Sequence, residues 1–294
     1  MASFTGTTHA AFVPDQWADE MRAALEANLV VAKLVKMIPH DKKVKGDVIH
    51  IPDVSELTAA DLSESDADIS GVAPTEGEFT LTINKKKHIS IYIPKHLGAN
   101  LSKYDMRQAY TPKIAYGLGK IVDQDLLALF SGLSQAVGTT ADGLNGNIAD
   151  ALILAAMEKL DVADVSEDDR FLILHARQRS KLYAIDKFVR ADAVGDKAER
   201  ITKRFMGDIY GMGSYYTSIV PIKVAATAPA TPVDSHANLL MNREAFALAM
   251  PQAVDMDYAY IPQKKAWFLS GDELYGVAEF RDLAGVVLFT KTTG

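Results

Sequence analysis

From Asp53 to Glu78 the chain runs for 26 residues with eight acids and no Lys or Arg. Ser55, Ser63, Ser65, Ser70, Gly71 and Pro74 are scattered among them. A stretch this polar cannot build a core, and it is too long for a passive connection inside a compact domain. Its flanks give it a form. Val48–Ile51 is a short apolar strand closed by Pro52 and entered through the basic turn Lys42–Gly46. On the return, Phe79, Leu81, Ile83, Ile89, Ile91 and Ile93 share one parity, interrupted only by Lys85 and Lys87. A period of two predicts one strand with a single apolar face and a basic patch in its middle. Fifteen residues at about 3.3 Å each would reach about 50 Å. A solitary hairpin is unstable in water, so an arm of that reach is expected to lie across another subunit. Acids on the excursion and Lys85, Lys86 and Lys87 on the stem supply complementary charge, which contributes register more than stability. Protein lattices use such arms more often than catalytic pockets do, so the pattern points to assembly.

Composition narrows the alternatives. With 294 residues and 48% hydrophobic content, the chain can bury one large core or two modest ones. Charged residues make up 23%, and 19 Gly with 11 Pro are too few for a collagen-like or wholly disordered chain. A net charge of -7 without a dense basic tail disfavours a dedicated nucleic-acid binder, though not a protein that only encloses nucleic acid. The absence of cysteine excludes disulfides and thiol catalysis, and it fits a reducing compartment. Residues 1–20 lack the basic and apolar regions of a signal peptide, and the apolar run Ala149–Met157 is too short to span a bilayer. A soluble protein with no membrane partner is expected.

Along the chain, Met1–Ala11 reads as a flexible leader. After Pro14, the residues Trp17, Met21, Ala24, Leu25 and Leu29 recur at helical spacing, and this helix would lean on its own core or on a neighbouring chain. Leu97–Tyr110 reads as a connector and short helix, and Thr111-Pro112 would restart or kink it. Ile114, Leu118, Ile121, Val122, Asp125, Leu126 and Leu129 then mark a helical stripe, with Asp125 a cap or salt-bridge partner. Asn147 is placed as the cap of an apolar helix Ile148–Leu160, followed by an acidic turn at Asp161–Arg170 and a buried strand Phe171–His175. A helix is expected over Arg177–Phe188. Lys197–Arg204, with Arg200 and Arg204, reads as a solvated basic edge or a charged intersubunit contact. Gly207, Gly211 and Gly213 among Ile209, Tyr210, Tyr215 and Tyr216 predict a glycine turn inside a small sheet, since neither a G-x-G-x-x-G pattern nor a Walker lysine is present. Ala225–Asn238 is expected as a rim loop and Asn242–Ala249 as a short helix. Strands at Trp267–Leu269, Tyr275–Phe280 and Gly285–Phe289 would be joined by turns at Gly271-Asp272 and Asp282–Ala284.

No chemistry rises from this pattern. The seven histidines form no H-E-x-x-H or compact ligand spacing, and there is no G-x-S-x-G elbow. His175, at the end of an apolar strand, reads as a satisfied edge histidine. Asp168 and Asp169 are adjacent, so their side chains diverge. Catalytic, cofactor-binding and metal-ligating residues are therefore assigned to none, and no cofactor is expected.

Several stretches in order resemble the major capsid protein of tailed bacteriophages, with its HK97-like fold. FVPDQWADEMRAALEANLVVAKLV is similar to that family's N-terminal arm, and GDVIHIP to the entry of its extended loop. FTLTINKKKHISIYIPKH resembles the loop's returning strand, and YDMRQAYTPKIAYGLGKIVDQDLLALF the long spine helix, with DQDLLALF the most characteristic phrase. RFLILHARQRSKLY and GDIYGMGSYYTS resemble parts of the peripheral and axial domains. The resemblance implies an α+β, HK97-like fold divided into an N-terminal arm (1–45), an extended β-hairpin loop (46–94), a peripheral domain with the spine helix (95–206), an axial domain (207–263) and C-terminal strands returning to the peripheral domain (264–294).

It further implies a subunit of pentamers and hexamers that close an icosahedral shell around double-stranded DNA, contacted non-specifically. That shell would be a virion component assembled in the host bacterial cytoplasm. Because no long helical scaffolding segment precedes the arm, either a separate scaffolding protein assists assembly or none is required; a portal protein and a decoration or cement protein are the other expected partners. Intersubunit contacts are placed at Trp17, Asp61, Glu64, Asp66, Asp68, Lys85, Lys86, Lys87, Arg200 and Arg204. Covalent lysine–asparagine crosslinking, known in some relatives, is not expected here. The rival readings are an encapsulin-like nanocompartment with enzyme cargo and, further off, a small oligomeric enzyme.

Overall fold

The computed structural model describes residues 29–39, 48–54, 76–95, 106–139, 146–184, 205–223 and 235–292. In chain order they form β1 (Lys36–Met37), β2 (Val48–Val54), β3 (Glu76–Thr82), β4 (Lys85–Pro94), α1 (Met106–Ala128), β5 (Gln135–Val137), α2 (Asp150–Val162), β6 (Arg170–His175) and α3 (Arg179–Leu182). There follow β7 (Phe205–Ile209), β8 (Met212–Thr217), β9 (Ile222–Lys223), β10 (Ser235–Asn242), β11 (Phe246–Ile261), β12 (Ala266–Glu279) and β13 (Gly285–Lys291). The predicted N-terminal helix around Trp17, the acidic stretch and the basic run Lys197–Arg204 lie outside the described residues. Among the described residues no helix is long and apolar enough to cross a membrane.

Two sheets carry the structure. The larger has the order β5-β13-β10-β6-β8-β7, with β9 also pairing β10. Its side chains alternate strictly. Leu172, Leu174, Leu240, Val286 and Leu288 face α2 through Leu152, Ile153, Ala156 and Leu160. Ile173, Leu239, Met241, Val287 and Phe289 face the opposite way, toward Val122, Leu126 and Leu127 of α1 and Val31 and Leu34 of the entering chain. Burial on both faces explains why β13 reads as a continuous apolar run from Val286 to Phe289.

The second sheet has the order β1-β11-β12-β4. Ile114, Ala115 and Leu118 from the first half of α1 pack over its Met256 and Leu269. One helix thus spans both sheets, its first half on one and its second half on the other. It passes through Pro112 without ending there.

The structure departs from the sequence reading at several places. The returning strand is two strands, β3 and β4, separated at Ile83 and Asn84. β3 pairs only with β2, whereas β4 pairs with β12 inside the body. Shared parity hid the break because Leu81, Ile83 and Ile89 are all turned inward on either side of it. Asn147 caps nothing: Ala149 occupies the N-cap of α2, and the Ile148 N–H donates to the Gln178 carboxamide at 3.0 Å.

The expected helix Asn242–Ala249 is the turn between β10 and β11 and the first four residues of β11. Asn242 donates to the Ser166 and Asp168 carbonyls (3.2 and 2.8 Å) and accepts from the Glu244 N–H (3.0 Å). Such side-chain bonding favours a turn over a helix. Residues 235–238 of the expected rim loop are the start of β10. There the buried Asn238 donates to Leu288 and Thr290 and accepts from the His175 N–H. Gly271-Asp272 is not a turn but the middle of β12, with Gly271 paired to Met256 on one side and Ile89 on the other. The helix after Arg177 is reduced to a 3-10 turn and the four residues of α3.

Other expectations match. The Asp161–Arg170 turn is closed by the buried Arg170, whose guanidinium meets Asp161 at 2.6 Å and the Ser166 carbonyl at 2.9 Å. Tyr210 and Gly211, with φ of 52° and 79°, form the expected turn between β7 and β8, where left-handed backbone at both centres favours glycine, but it stands at the edge of the larger sheet and not in a small one. The larger sheet draws strands from both sides of residue 206, and β11 runs from the turn after the larger sheet into the smaller one.

Candidate assembly surface

The arm begins where β3 and β4 part. β2 and β3 pair in antiparallel register from Val48↔Thr82 to Val54↔Glu76, and the acidic stretch connects their outer ends. At the inner end Leu81, Ile83, Ile49 and Phe79 pack against Ala247, Ala249, Leu274 and Ala278. Phe79 meets Phe280 edge-on at 4.9 Å between ring centroids. Gly276 makes this junction possible, since a Cβ there would stand 2.5 Å from the Thr82 carbonyl oxygen. The hairpin is therefore rooted in its own body and extends from there.

Beyond the junction, the lysines expected at the stem have partners within the chain. Lys85 and Lys87 lie 3.5 and 3.8 Å from Asp125 Oδ2, and the Tyr275 hydroxyl donates to the same oxygen at 2.8 Å. Asp125 is thus the salt-bridge partner its place on the helical stripe suggested. It ties α1 to β4 and β12. Lys86, of opposite parity, is exposed on the other face of the sheet. Trp17, Asp61, Glu64, Asp66, Asp68, Arg200 and Arg204 fall outside the described residues.

Two buried acids went unread in the sequence. Asp123, 1% exposed, accepts from the Val30 N–H at 3.0 Å and the Ala32 N–H at 3.1 Å, fastening the entering segment to α1. Its neighbour Asp125 drew attention because it fell on the predicted stripe; Asp123 sits on the inner face beside Val122 and Leu126. Glu273, 2% exposed, has no hydrogen-bond partner for either oxygen among the described residues. Burial first, then the Asp125 charge, push its carboxyl up to about 8, against the opposing pull of Lys87. This acid is largely protonated at neutral pH.

The far end of the smaller sheet is aromatic. Tyr92 and Phe268 lie 5.2 Å apart on one face, with Lys264 Nζ 3.8 Å from the Tyr92 centroid. On the other face Tyr258 stacks on Trp267 at 4.9 Å, Tyr260 lies 5.2 Å from the same ring, and Lys95 approaches Tyr260. Tyr92, Tyr260 and Trp267 remain 45%, 37% and 37% exposed.

His175 stacks on His236 at 3.7 Å, and its Nδ1 accepts from the Arg177 N–H. Burial and Arg177 lower its proton affinity. Asp169 pairs with Arg243 instead of converging on it. A cavity of about 380 Å³ is lined by Lys86, Lys87, His88, Asp272, Glu273 and Leu274, remote from His175 in the fold. No group of three or more His, Asp or Glu among the described residues is arranged to hold a metal.

A family model described as phage capsid protein matches residues 30–290. No curated protein matches the sequence. Solved structures are similar at low identity. The capsid structure of the cyanophage P-SCSP1u aligns with a TM-score of 0.69 and 16% identity, over 100% of this chain and 93% of that one. A chain of Mycobacterium phage Che8 aligns with a TM-score of 0.65 and 18% identity, over 88% and 90%. A virus-like particle from Pyrococcus furiosus aligns at 0.57 and 10%, over 95% and 100%. At these identities the likeness establishes the fold, an α+β HK97-like architecture.

Proposed function

The chain belongs to the phage capsid protein family and is a shell-forming structural component of the virion, and from that premise we propose that it builds pentamers and hexamers enclosing double-stranded DNA. The observation that carries this reading is the rooted hairpin. Its base is held by an apolar cluster and by the glycine seat at residue 276, while its two strands run on at Val54 and Glu76 into the acidic stretch of the sequence. An arm so anchored can lie over a neighbour without unfolding its own domain. The wide helix–sheet body behind it supplies the stiff panel that a closed shell needs, because repeated weak contacts sum only when every copy presents the same surfaces.

The acids Asp61, Glu64, Asp66 and Asp68, with Trp17, Arg200 and Arg204, are the proposed intersubunit contacts. Lys86 is proposed with them, and so are Lys85 and Lys87, which also pair with Asp125 of their own chain. Assembly in the host cytoplasm with a separate scaffolding protein, a portal protein and a decoration or cement protein completes the reading. Enclosed DNA would be contacted loosely, as the net charge of -7 favours containment over tight binding. The family match supports a virion shell over an encapsulin-like compartment.

Deleting Ser55–Thr75 tests the arm directly. The chain should fold with an unchanged unfolding midpoint and fail to form closed particles under electron microscopy. Normal particles from the deletion would refute it. Purified native particles should protect double-stranded DNA from nuclease; particles holding enzyme and no DNA would favour the compartment instead.

A further inference from the structure

We propose that the stacked pair His175 and His236 is an acid-released latch that closes one end of the larger sheet, where β6, β9, β10 and β13 come together. The latch belongs to the single subunit and does not depend on where the hairpin lies.

The two rings lie 3.7 Å apart and within 8° of parallel. His236 is 2% exposed, and neither of its ring nitrogens has a hydrogen-bond partner among the described residues. Burying an unpaired polar ring costs stability even while it is neutral, so packing is what holds it there. A charge on that ring would cost far more. His175 is better provided for. Its Nδ1 accepts from the Arg177 N–H at 3.2 Å, and its backbone N–H donates to Asn238 Oδ1 at 2.7 Å. Imidazole lone pairs lie in the ring plane, so two rings stacked in parallel do not converge on one metal ion. Titration is the chemistry left to the pair.

The backbone around the rings is the end of the sheet itself. His236 stands in register with Ile222 of β9 on one side and Thr290 of β13 on the other. The next residue, Ala237, donates its N–H to the Pro221 carbonyl at 3.0 Å. From the His175 side, the Arg177 guanidinium donates to the Thr292 carbonyl at 2.7 Å and the Gln178 carboxamide to the Lys291 carbonyl at 3.1 Å. Strand β9 has only two residues, so its place depends on the start of β10. Moving His236 outward would loosen all of these together.

Nearby charge decides what moves it. Ile222 and Thr290 do not ionise, nor does Thr217 of β8, which pairs with His175; Lys291 is exposed. The charged group acting on both rings is Arg177, and it has the same sign as a protonated imidazole. A proton on His236 would therefore sit buried, without an acceptor, against a second ring and beside a guanidinium. Burial first, then His175 and Arg177, hold His236 down at about 4 from an ordinary 6.5. Burial and then Arg177 lower His175 as well, against a backbone hydrogen bond with Ser218. The open form takes up protons more readily than the closed one, so closure is fully favoured above about pH 6.5 and weakens as pH falls toward 4. On His236 alone that difference is about 300-fold in the opening equilibrium.

Amide hydrogen exchange on the full, unassembled chain tests this, with each rate referred to the intrinsic rate at its pH. Between about pH 6.5 and 4 the amides of Ala237 and His175 should lose protection on the order of a hundredfold, while Leu172 and Leu240 inside the same sheet keep theirs. His236→Phe keeps a ring on the stack and removes the proton site, so its protection should stay level over that range. Arg177→Gln removes an exposed charge and should shrink the loss severalfold. Unchanged wild-type protection at Ala237 and His175 down to about pH 4 overturns the latch. So does an equal loss in His236→Phe, or a loss at Leu172 and Leu240 in step with Ala237, which would mean that the whole sheet unfolds. Should His236→Phe not fold, Arg177→Gln decides, and an undiminished loss there overturns the latch.

Discussion

Replacing Asp123 with alanine removes the acceptor of two buried backbone donors, Val30 N–H at 3.0 Å and Ala32 N–H at 3.1 Å. Both donors belong to a segment more than ninety residues away in sequence, and neither keeps a substitute once the carboxylate is gone unless water enters. An unsatisfied buried donor costs about 1–3 kcal/mol, so the substitution should cost about 2–5 kcal/mol. Against a total stability of about 5–15 kcal/mol, that is a large fraction. Asp123→Asn keeps one oxygen but turns an NH2 group toward the other donor, and should lose about half as much. Urea unfolding of the unassembled chain reads the free energy, and amide hydrogen exchange at Val30 and Ala32 reads the cause. Those two amides should lose protection while the interior of the larger sheet, at Leu239 and Leu240, keeps its own. A change below about 0.5 kcal/mol, or unaltered protection at both amides, would refute the reasoning.

Two further substitutions test the junction and the buried acid. Gly276→Val drives a side chain into the Thr82 carbonyl, which is backbone and cannot rotate away; a loss of about 1–3 kcal/mol is expected, with increased exchange in β3. A wild-type midpoint for that variant would show that the hairpin is not seated there. Glu273, with its carboxyl raised to about 8 from an ordinary 4.5, keeps a proton in the folded chain that the unfolded chain releases between those values. Its contribution to stability is therefore full below about pH 4.5 and is lost as pH rises toward 8 and beyond. Glu273→Gln should remove that decline, so the gap between variant and wild type in unfolding midpoint widens from pH 5 to 8 and then levels. Parallel pH profiles for the two proteins would contradict the assignment.

Where a single physical signal dominated, the chain could be read without coordinates. Two-residue alternation marked β3 and β4, a short apolar run marked the strand at Phe171–His175, and the spacing of Ile114, Leu118, Val122 and Leu126 marked α1. Tyr210-Gly211 was legible as a turn for the same reason, a local backbone demand. The combination of arm, long helix and mixed sheets led to the family by resemblance of ordered motifs.

Legibility failed where burial on both faces erased the alternation. Phe246–Ala249 is apolar throughout, and a run like that is compatible with helix or strand until its neighbours are known. Ser235–Asn238 looked like a polar loop because its asparagine and histidine meet partners across strands from distant sequence, at His175, Leu288 and Thr290. Local sequence does not encode such partners.

By itself, then, the sequence determined the long helix, the alternating strands of the hairpin and its stem, and the separation of one acidic excursion from an apolar body, because periodicity and charge are properties of consecutive residues. Tertiary structure alone decided where the returning strand divides, which acid holds the entering segment, and that the aromatic side chains at the Ala266 end divide between two faces of the smaller sheet. Each of those depends on which distant strands pair and in what register, and a long-range pairing is settled by packing between elements, not by the preferences of either element alone.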